Sequence, residues 1–92
     1  MTSPFIFGVP PRAIARVVQF ESDVIQICHY VDRSVDDVMD LLMALPYPKD
    51  TVAGFLLESL ADGLAFDEAL SIVRISPPEG WDYMRRLAME PR

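Results

Sequence analysis

The stretch SVDDVMDLLMALPYPKDTVAGFLLESLADG, residues 34–63, contains two segments in which apolar residues recur every three or four positions. This spacing is that of one face of an α-helix. Pro46 and Pro48 separate the two segments. Proline ends a helix because it lacks a backbone N–H and clashes with the preceding turn. The stretch therefore predicts two amphipathic helices, the second starting near Lys49–Thr51.

Both predicted helices carry boundary signals. Ser34 is placed to accept a hydrogen bond from the backbone N–H of Asp37, as a helix N-cap does. Gly63 is placed to end the second helix in a left-handed conformation. Gly54 lies inside that helix, where glycine costs roughly 1 kcal/mol relative to alanine. We interpret Gly54 as a mark of close approach by another helix, of this chain or of a partner.

Residues 12–33 are the ambiguous segment, because their many Val and Ile residues favour a strand. Polar residues nevertheless recur at steps of three and four, which predicts one helix with Asp23 on its polar side. A break at Ser22, which could cap a second helix, is the alternative. The apolar side is predicted to hold Ile14, Val17, Val18, Val24, Ile25, Cys28 and Val31, widened by Phe20 and Ile27.

The C-terminal third predicts two further helices. Asp67 is the candidate N-cap of the first, which runs to about Ile75. Ser76 and Pro77 are placed as the cap and the first residue of the second, which runs to about Met89. The inward-facing residues of this last helix are predicted to be Trp81, Met84, Leu87 and Ala88.

The N-terminal end differs from the rest of the chain. Residues 1–11 contain three prolines and the cluster Phe5-Ile6-Phe7, which predicts an extended arm rather than a helix. The arm either packs on its own domain or docks into another chain. We therefore predict an all-α fold, a small bundle of four to five helices in residues 12–92, preceded by an extended proline-rich N-terminal arm, residues 1–11.

The net charge of −6 is concentrated in the middle of the chain. Residues 21–68 hold eleven carboxylates against Arg33 and Lys49, whereas both ends are slightly positive. A negative field repels nucleic acid and attracts basic surfaces. We therefore expect no direct binding to nucleic acid. The charge instead favours a protein partner with a basic surface.

The cysteine count and the hydropathy pattern bear on the compartment. A single cysteine, Cys28, excludes an intramolecular disulfide and a cysteine-based zinc cluster. The N-terminus lacks the pattern of a secretory signal, and no apolar run approaches the length of a membrane span. We therefore expect a cytoplasmic protein that does not enter a membrane.

The residues offer little for catalysis. His29 is the only histidine. A relay of His29 with Ser22 and Asp32 along one helix surface would lack an oxyanion hole. Asp36 and Asp40 face together but supply fewer oxygens than calcium requires. We expect no enzymatic activity, no cofactor and no metal.

Three surfaces remain as candidates for binding a partner. The first is an acidic ridge formed by Asp36, Asp37, Asp40, Asp50, Glu58 and Asp62. The second is the N-terminal arm, with Phe5 and Phe7. The third is the last helix, with Tyr83, Arg85 and Arg86, since tyrosine and arginine are enriched at binding hot spots.

These features lead to two functional hypotheses. The first is a non-enzymatic, small acidic protein-binding module that masks, inhibits or regulates a larger protein, as inhibitors, adaptors and assembly chaperones do. The alternative is an acidic nucleic-acid mimic of the type carried by phages, similar in kind to anti-CRISPR proteins. Such a mimic blocks the basic groove of a nucleic-acid-binding host defence or regulatory enzyme. Self-association into a homo-oligomer stays open in both.

Overall fold

A computed structural model describes residues 11–91, which form five α-helices and no β-strand within that range. A single 3-10 turn, Pro78–Gly80, precedes the last helix. The helices are α1 (Pro11–Val31), α2 (Val35–Met43), α3 (Lys49–Ala61), α4 (Phe66–Ile75) and α5 (Trp81–Met89). The predicted all-α bundle is confirmed. Pro11, the last residue of the predicted arm, begins α1, where proline is favoured because its missing N–H needs no partner.

α1 is one unbroken helix of 21 residues, so the alternatives of a strand or of two helices are wrong. Ser22 lies inside this helix and does not cap a second one. Its hydroxyl accepts a hydrogen bond of 3.1 Å from the side chain of Gln26, through Nε2, rather than from a backbone N–H. Asp23 does not lie on an exposed polar side. It is buried and accepts a hydrogen bond of 2.8 Å from Gln19 Nε2 within the same helix.

The core-facing stripe of α1 is narrower than its apolar side. Ile27 is fully buried and Val24 nearly so, whereas Val17, Val18 and Ile25 are each more than half exposed. These three residues of the predicted apolar side therefore do not face the core. A helix of 21 residues is about 31 Å long, while its packing partners α2 and α3 have only 9 and 13 residues. α1 therefore carries more apolar surface than its neighbours cover.

α3 is the central helix, because it packs against α1, α2 and α4. Its buried residues form one broad face of the helix, and Asp50, Glu58 and Ala61 are exposed on the opposite face. Ser59 is fully buried, and its hydroxyl donates to the Phe55 carbonyl at 2.8 Å. A Cβ added to Gly54 would meet no atom within 4 Å. No helix of residues 11–91 approaches this position closely, so that interpretation of Gly54 is wrong for contacts within the described chain.

The boundaries of α2 and α3 follow the predicted signals. The Ser34 hydroxyl accepts a hydrogen bond of 3.1 Å from the Asp37 N–H, which confirms the N-cap. Gly63 has φ +97°, a left-handed value that glycine adopts without strain. The Gly63 N–H donates to the Leu60 carbonyl at 3.0 Å and the Leu64 N–H to the Ser59 carbonyl at 2.9 Å. These two bonds are the pattern of a Schellman C-cap.

The start of α5 differs from the prediction. Ser76 and Pro77 are both extended, and Pro77 precedes the 3-10 turn instead of opening a helix. The reason is local, since a residue that precedes a proline is disfavoured in the helical region and Pro77 precedes Pro78. The Ser76 carbonyl accepts a hydrogen bond of 2.9 Å from the Trp81 indole N–H.

The packing of α4 and α5 corrects two smaller predictions. Ala65 is the N-cap residue of α4, and Asp67 lies in its first turn. Trp81 is buried as predicted, with its ring 5.1 Å from that of Phe55 between centroids. Leu87 and Ala88, in contrast, are exposed.

Candidate functional site

An open groove of about 790 Å³ lies where α1 passes the N-terminal ends of α2 and α3. We call it the apolar groove. Its floor is apolar and comes from the first two helices, and charged residues stand along its rim. The floor residues are Val17, Phe20, Val24 and Ile25 of α1 with Val35 and Met39 of α2, and the rim residues are Arg16, Glu21, Lys49 and Asp50.

The floor of the groove exposes large side chains to solvent. Val17, Ile25 and Val35 are 56%, 51% and 49% exposed, and Val18 beside them is 60% exposed. Each exposed valine or isoleucine is unremarkable alone, because much of any protein surface is apolar. A contiguous apolar patch bordered by charges is different, since such patches mark interaction sites.

The rim of the groove is electrically balanced. Arg16 and Lys49 carry positive charges, while Glu21 and Asp50 carry negative ones. The Lys49 ammonium lies 5.4 Å from the centroid of the Phe20 ring, a cation–π contact that helps to hold this ring in the floor. The four charged residues that line this apolar surface therefore cancel one another in formal charge.

The predicted acidic ridge is divided among three places. Asp36, Asp37 and Asp40 are exposed on the side of α2 opposite Val38 and Leu42, which are buried. Within residues 11–91 no salt bridge involves these three carboxylates.

The remaining carboxylates of the ridge lie on α3 and at its C-terminus. Asp50 stands on the rim of the apolar groove, and its carboxylate accepts from the Thr51 N–H at 2.9 Å. Glu58 and Asp62 are exposed near the other end of α3, and Glu58 accepts from Arg85 at 3.2 Å. The six carboxylates therefore do not form one continuous surface.

The predicted residues of α5 divide into two groups. Arg85 is only 17% exposed, pairs with Glu58 and with Asp82 at 3.2 and 3.7 Å, and lies 5.8 Å from the centroid of the Phe55 ring. These contacts tie α5 to α3. Tyr83 and Arg86 are exposed and, with Leu87 and Glu90, border a shallow depression of about 310 Å³. Phe5 and Phe7 lie outside the described residues.

The groups considered for catalysis are scattered. His29 is exposed on α1 and Cys28 is half-buried. In the described part of the chain no three histidine, cysteine or acidic side chains come together as metal ligands. Every buried side-chain nitrogen or oxygen described there has a hydrogen-bond partner. Among the same residues no helix has the length and apolar character needed to cross a membrane.

Sequence reasoning missed Val17, Ile25 and Val35 as candidate site residues, because it searched for charges and aromatic rings. A signal was present. The predicted apolar side of α1 is so wide that short neighbouring helices could not cover it, and the chain is 51% hydrophobic, slightly above the usual globular share.

Comparison of the chain with protein-family models, with curated protein sequences and with solved structures gave no match.

Proposed function

We propose that this protein is a non-enzymatic protein-binding module that masks, inhibits or regulates a larger protein, and that the apolar groove is its contact surface. The observation that carries the proposal is the exposure of Val17, Ile25 and Val35 in one groove whose rim has no net charge.

The chemistry of the groove favours an uncharged, apolar segment of the partner. Such a segment would remove half-exposed valine and isoleucine side chains from water, which favours association by about 25 cal/mol for each Å² buried. The four rim charges cancel in formal charge, so the rim itself adds little attraction for a charged segment that enters the groove. The complex is therefore expected to survive high salt.

A second candidate function is the acidic nucleic-acid mimic. The specific observation in its favour is that Asp36, Asp37 and Asp40 share one exposed side of α2 and make no salt bridge within residues 11–91. Three exposed carboxylates on one side of a helix attract a basic groove. This binding would weaken steeply with salt, because exposed charges are screened.

Affinity capture with matched variants tests the first proposal. The wild-type chain, Val17→Asp and Ile75→Asp are each immobilised and exposed to nuclease-treated lysate of the source cells. Ile75 is the control because it is 72% exposed and lies outside the groove. We expect a partner that survives a high-salt wash, is retained by Ile75→Asp, and is reduced about tenfold or more by Val17→Asp, as loss of about 1.4 kcal/mol implies.

The same capture tests the mimic with a second pair of variants. Asp36, Asp37 and Asp40 are changed to Asn together, and the control is Asp67→Asn with Glu68→Gln, which also removes charges from a first helical turn. Loss of a basic partner only in the triple variant, and its release by salt, would support the mimic. Equal retention by Val17→Asp and wild type would contradict the proposal that the groove is the contact surface.

A further inference from the structure

We infer that in the free protein the apolar groove is occupied by the chain's own N-terminal arm, whose Phe5 and Phe7 side chains lie on its floor. The inference rests on the proposed function in one respect, since it assigns the arm the role of a competitor for the partner's site. Occupancy of the groove by the arm does not itself require a partner.

The tether between the arm and α1 has the right length. Phe7 and Phe5 precede Pro11 by four and six residues, which allows them to reach about 13 and 20 Å from it. Along α1, the groove begins at Arg16 and ends at Ile25, about 8 and 21 Å from Pro11. An arm that turns back along α1 therefore brings both phenylalanines over the groove.

The residues at the start of α1 favour such a turn. In the sequence Val9 and Pro10 immediately precede Pro11, the first residue of α1, and Ile14 is the fourth residue of that helix. Apolar residues at this spacing are the sequence pattern of a hydrophobic staple, a contact that fixes the angle at which the chain enters a helix. Ile14 is half-buried.

Ile14 also lies on the side of α1 that leads to the groove. It precedes Val17 and Glu21 by three and seven residues, a spacing that places all three on one side of the helix. Val17 and Glu21 belong to the floor and the rim of the groove. A chain that packs on Ile14 is therefore continued towards the groove rather than away from it.

The charge of the arm matches that of the groove. Residues 1–11 contain no charged side chain. The two positive and two negative rim residues of the groove favour such an uncharged occupant over a strongly acidic or basic one. Two phenylalanine rings, which bury about 150–250 Å² each, suit an apolar floor of this kind.

Occupancy by the arm regulates the groove. An external partner can bind only in the fraction of molecules in which the arm has left, so its apparent affinity is lowered by that fraction. An arm that fills the groove in about nine-tenths of the molecules weakens the partner about tenfold. The double variant Phe5→Ser/Phe7→Ser is then expected to bind the partner about tenfold more tightly.

The test uses the methyl NMR signals of the methionines in the full-length chain, without any partner. Met39 lies in the floor of the groove, whereas Met84 and Met89 lie on α5. In Phe5→Ser/Phe7→Ser we expect the Met39 signal to move, because two aromatic rings leave its surroundings, while the two α5 signals stay. Ile75→Ser, which removes an exposed apolar side chain outside the groove, is expected to leave Met39 unchanged.

A Met39 signal that is the same in the wild type and in Phe5→Ser/Phe7→Ser would overturn the inference. The molecular mass in solution completes the test. If the wild type is a monomer and the double variant shifts the Met39 signal, the chain's own arm occupies the groove. If the wild type is a dimer and the double variant is a monomer, the arm docks into a second copy of the chain, which would also overturn the inference. Because no partner is present, failure here leaves the capture result on the proposed function unaffected.

Discussion

Replacing Gly54 with alanine is predicted to stabilise the protein. Gly54 lies in the interior of α3, and a Cβ there meets no atom within 4 Å. Alanine therefore adds no clash, and it removes the backbone entropy that glycine loses on entering a helix, about 0.8–1 kcal/mol. For a domain of this size, a gain of 1 kcal/mol raises the midpoint of thermal unfolding by about 4–8 °C.

Gly63→Ala is the matched control. A Cβ at Gly63 also meets no atom within 4 Å, but its φ of +97° is strained for any residue with a side chain. We expect Gly63→Ala to lower the free energy of unfolding by about 1–2 kcal/mol. Because the space is open at both positions, the opposite signs isolate the backbone conformation as the cause.

Thermal and urea unfolding followed by far-ultraviolet circular dichroism measure both effects. A neutral or destabilising Gly54→Ala would refute the reasoning, because another surface would then have to contact Gly54. If that destabilisation grew with protein concentration, the surface would belong to a second copy of the chain.

Three further predictions concern the core and the caps, measured by urea unfolding. Ile27→Ala is expected to lower the free energy of unfolding by about 2–5 kcal/mol, because Ile27 is fully buried. Ile25→Ala is expected to lower it by less than about 0.5 kcal/mol, because Ile25 is exposed. Equal losses in the two variants would contradict this difference in burial. Ser34→Ala is expected to lower the free energy of unfolding by about 1 kcal/mol. An unchanged free energy of unfolding would show that the N-cap hydrogen bond is absent in solution. Trp81→Phe is expected to lower the free energy of unfolding by about 1–3 kcal/mol, because it leaves the Ser76 carbonyl without its hydrogen-bond donor. If this variant were as stable as the wild type, that result would argue against the hydrogen bond.

The helix boundaries that depend on neighbouring residues could be predicted from the sequence. Ser34 caps α2 through a residue three positions away, and Gly63 ends α3 through bonds to Ser59 and Leu60. These signals are local, so no knowledge of the packing is needed. The error at Pro77 is also local, since the conformational effect of Pro78 on the residue before it outweighs the favourable pattern of Ser76 and Pro77.

The division of α1 into buried and exposed apolar residues could not be predicted in the same way. The 3.6-residue period correctly predicts a helix, but it treats Val17 and Ile27 alike. Which of them is buried depends on the lengths of α2 and α3 and on where they cross α1. These are non-local properties of the bundle.

The candidate site was missed for the same reason. The apolar groove is formed by residues of three helices, and no short segment contains it. The predicted acidic ridge, in contrast, was defined by position in the sequence, and the fold separates Asp36 and Asp40 on α2 from Glu58 beside Arg85. Charge distribution along a chain is readable from sequence, whereas its arrangement on a surface requires the fold.

The methionine methyl spectrum of the protein, recorded with the captured partner, shows whether the apolar groove is the contact surface. Each candidate surface has its own methionine: Met39 in the groove, Met43 on the acidic side of α2, and Met89 on α5. We predict that addition of the partner shifts the Met39 signal and leaves Met43 and Met89 in place. A shift of Met43 or Met89 with Met39 unchanged would contradict the proposed role of the groove and assign the contact to the acidic side of α2 or to α5.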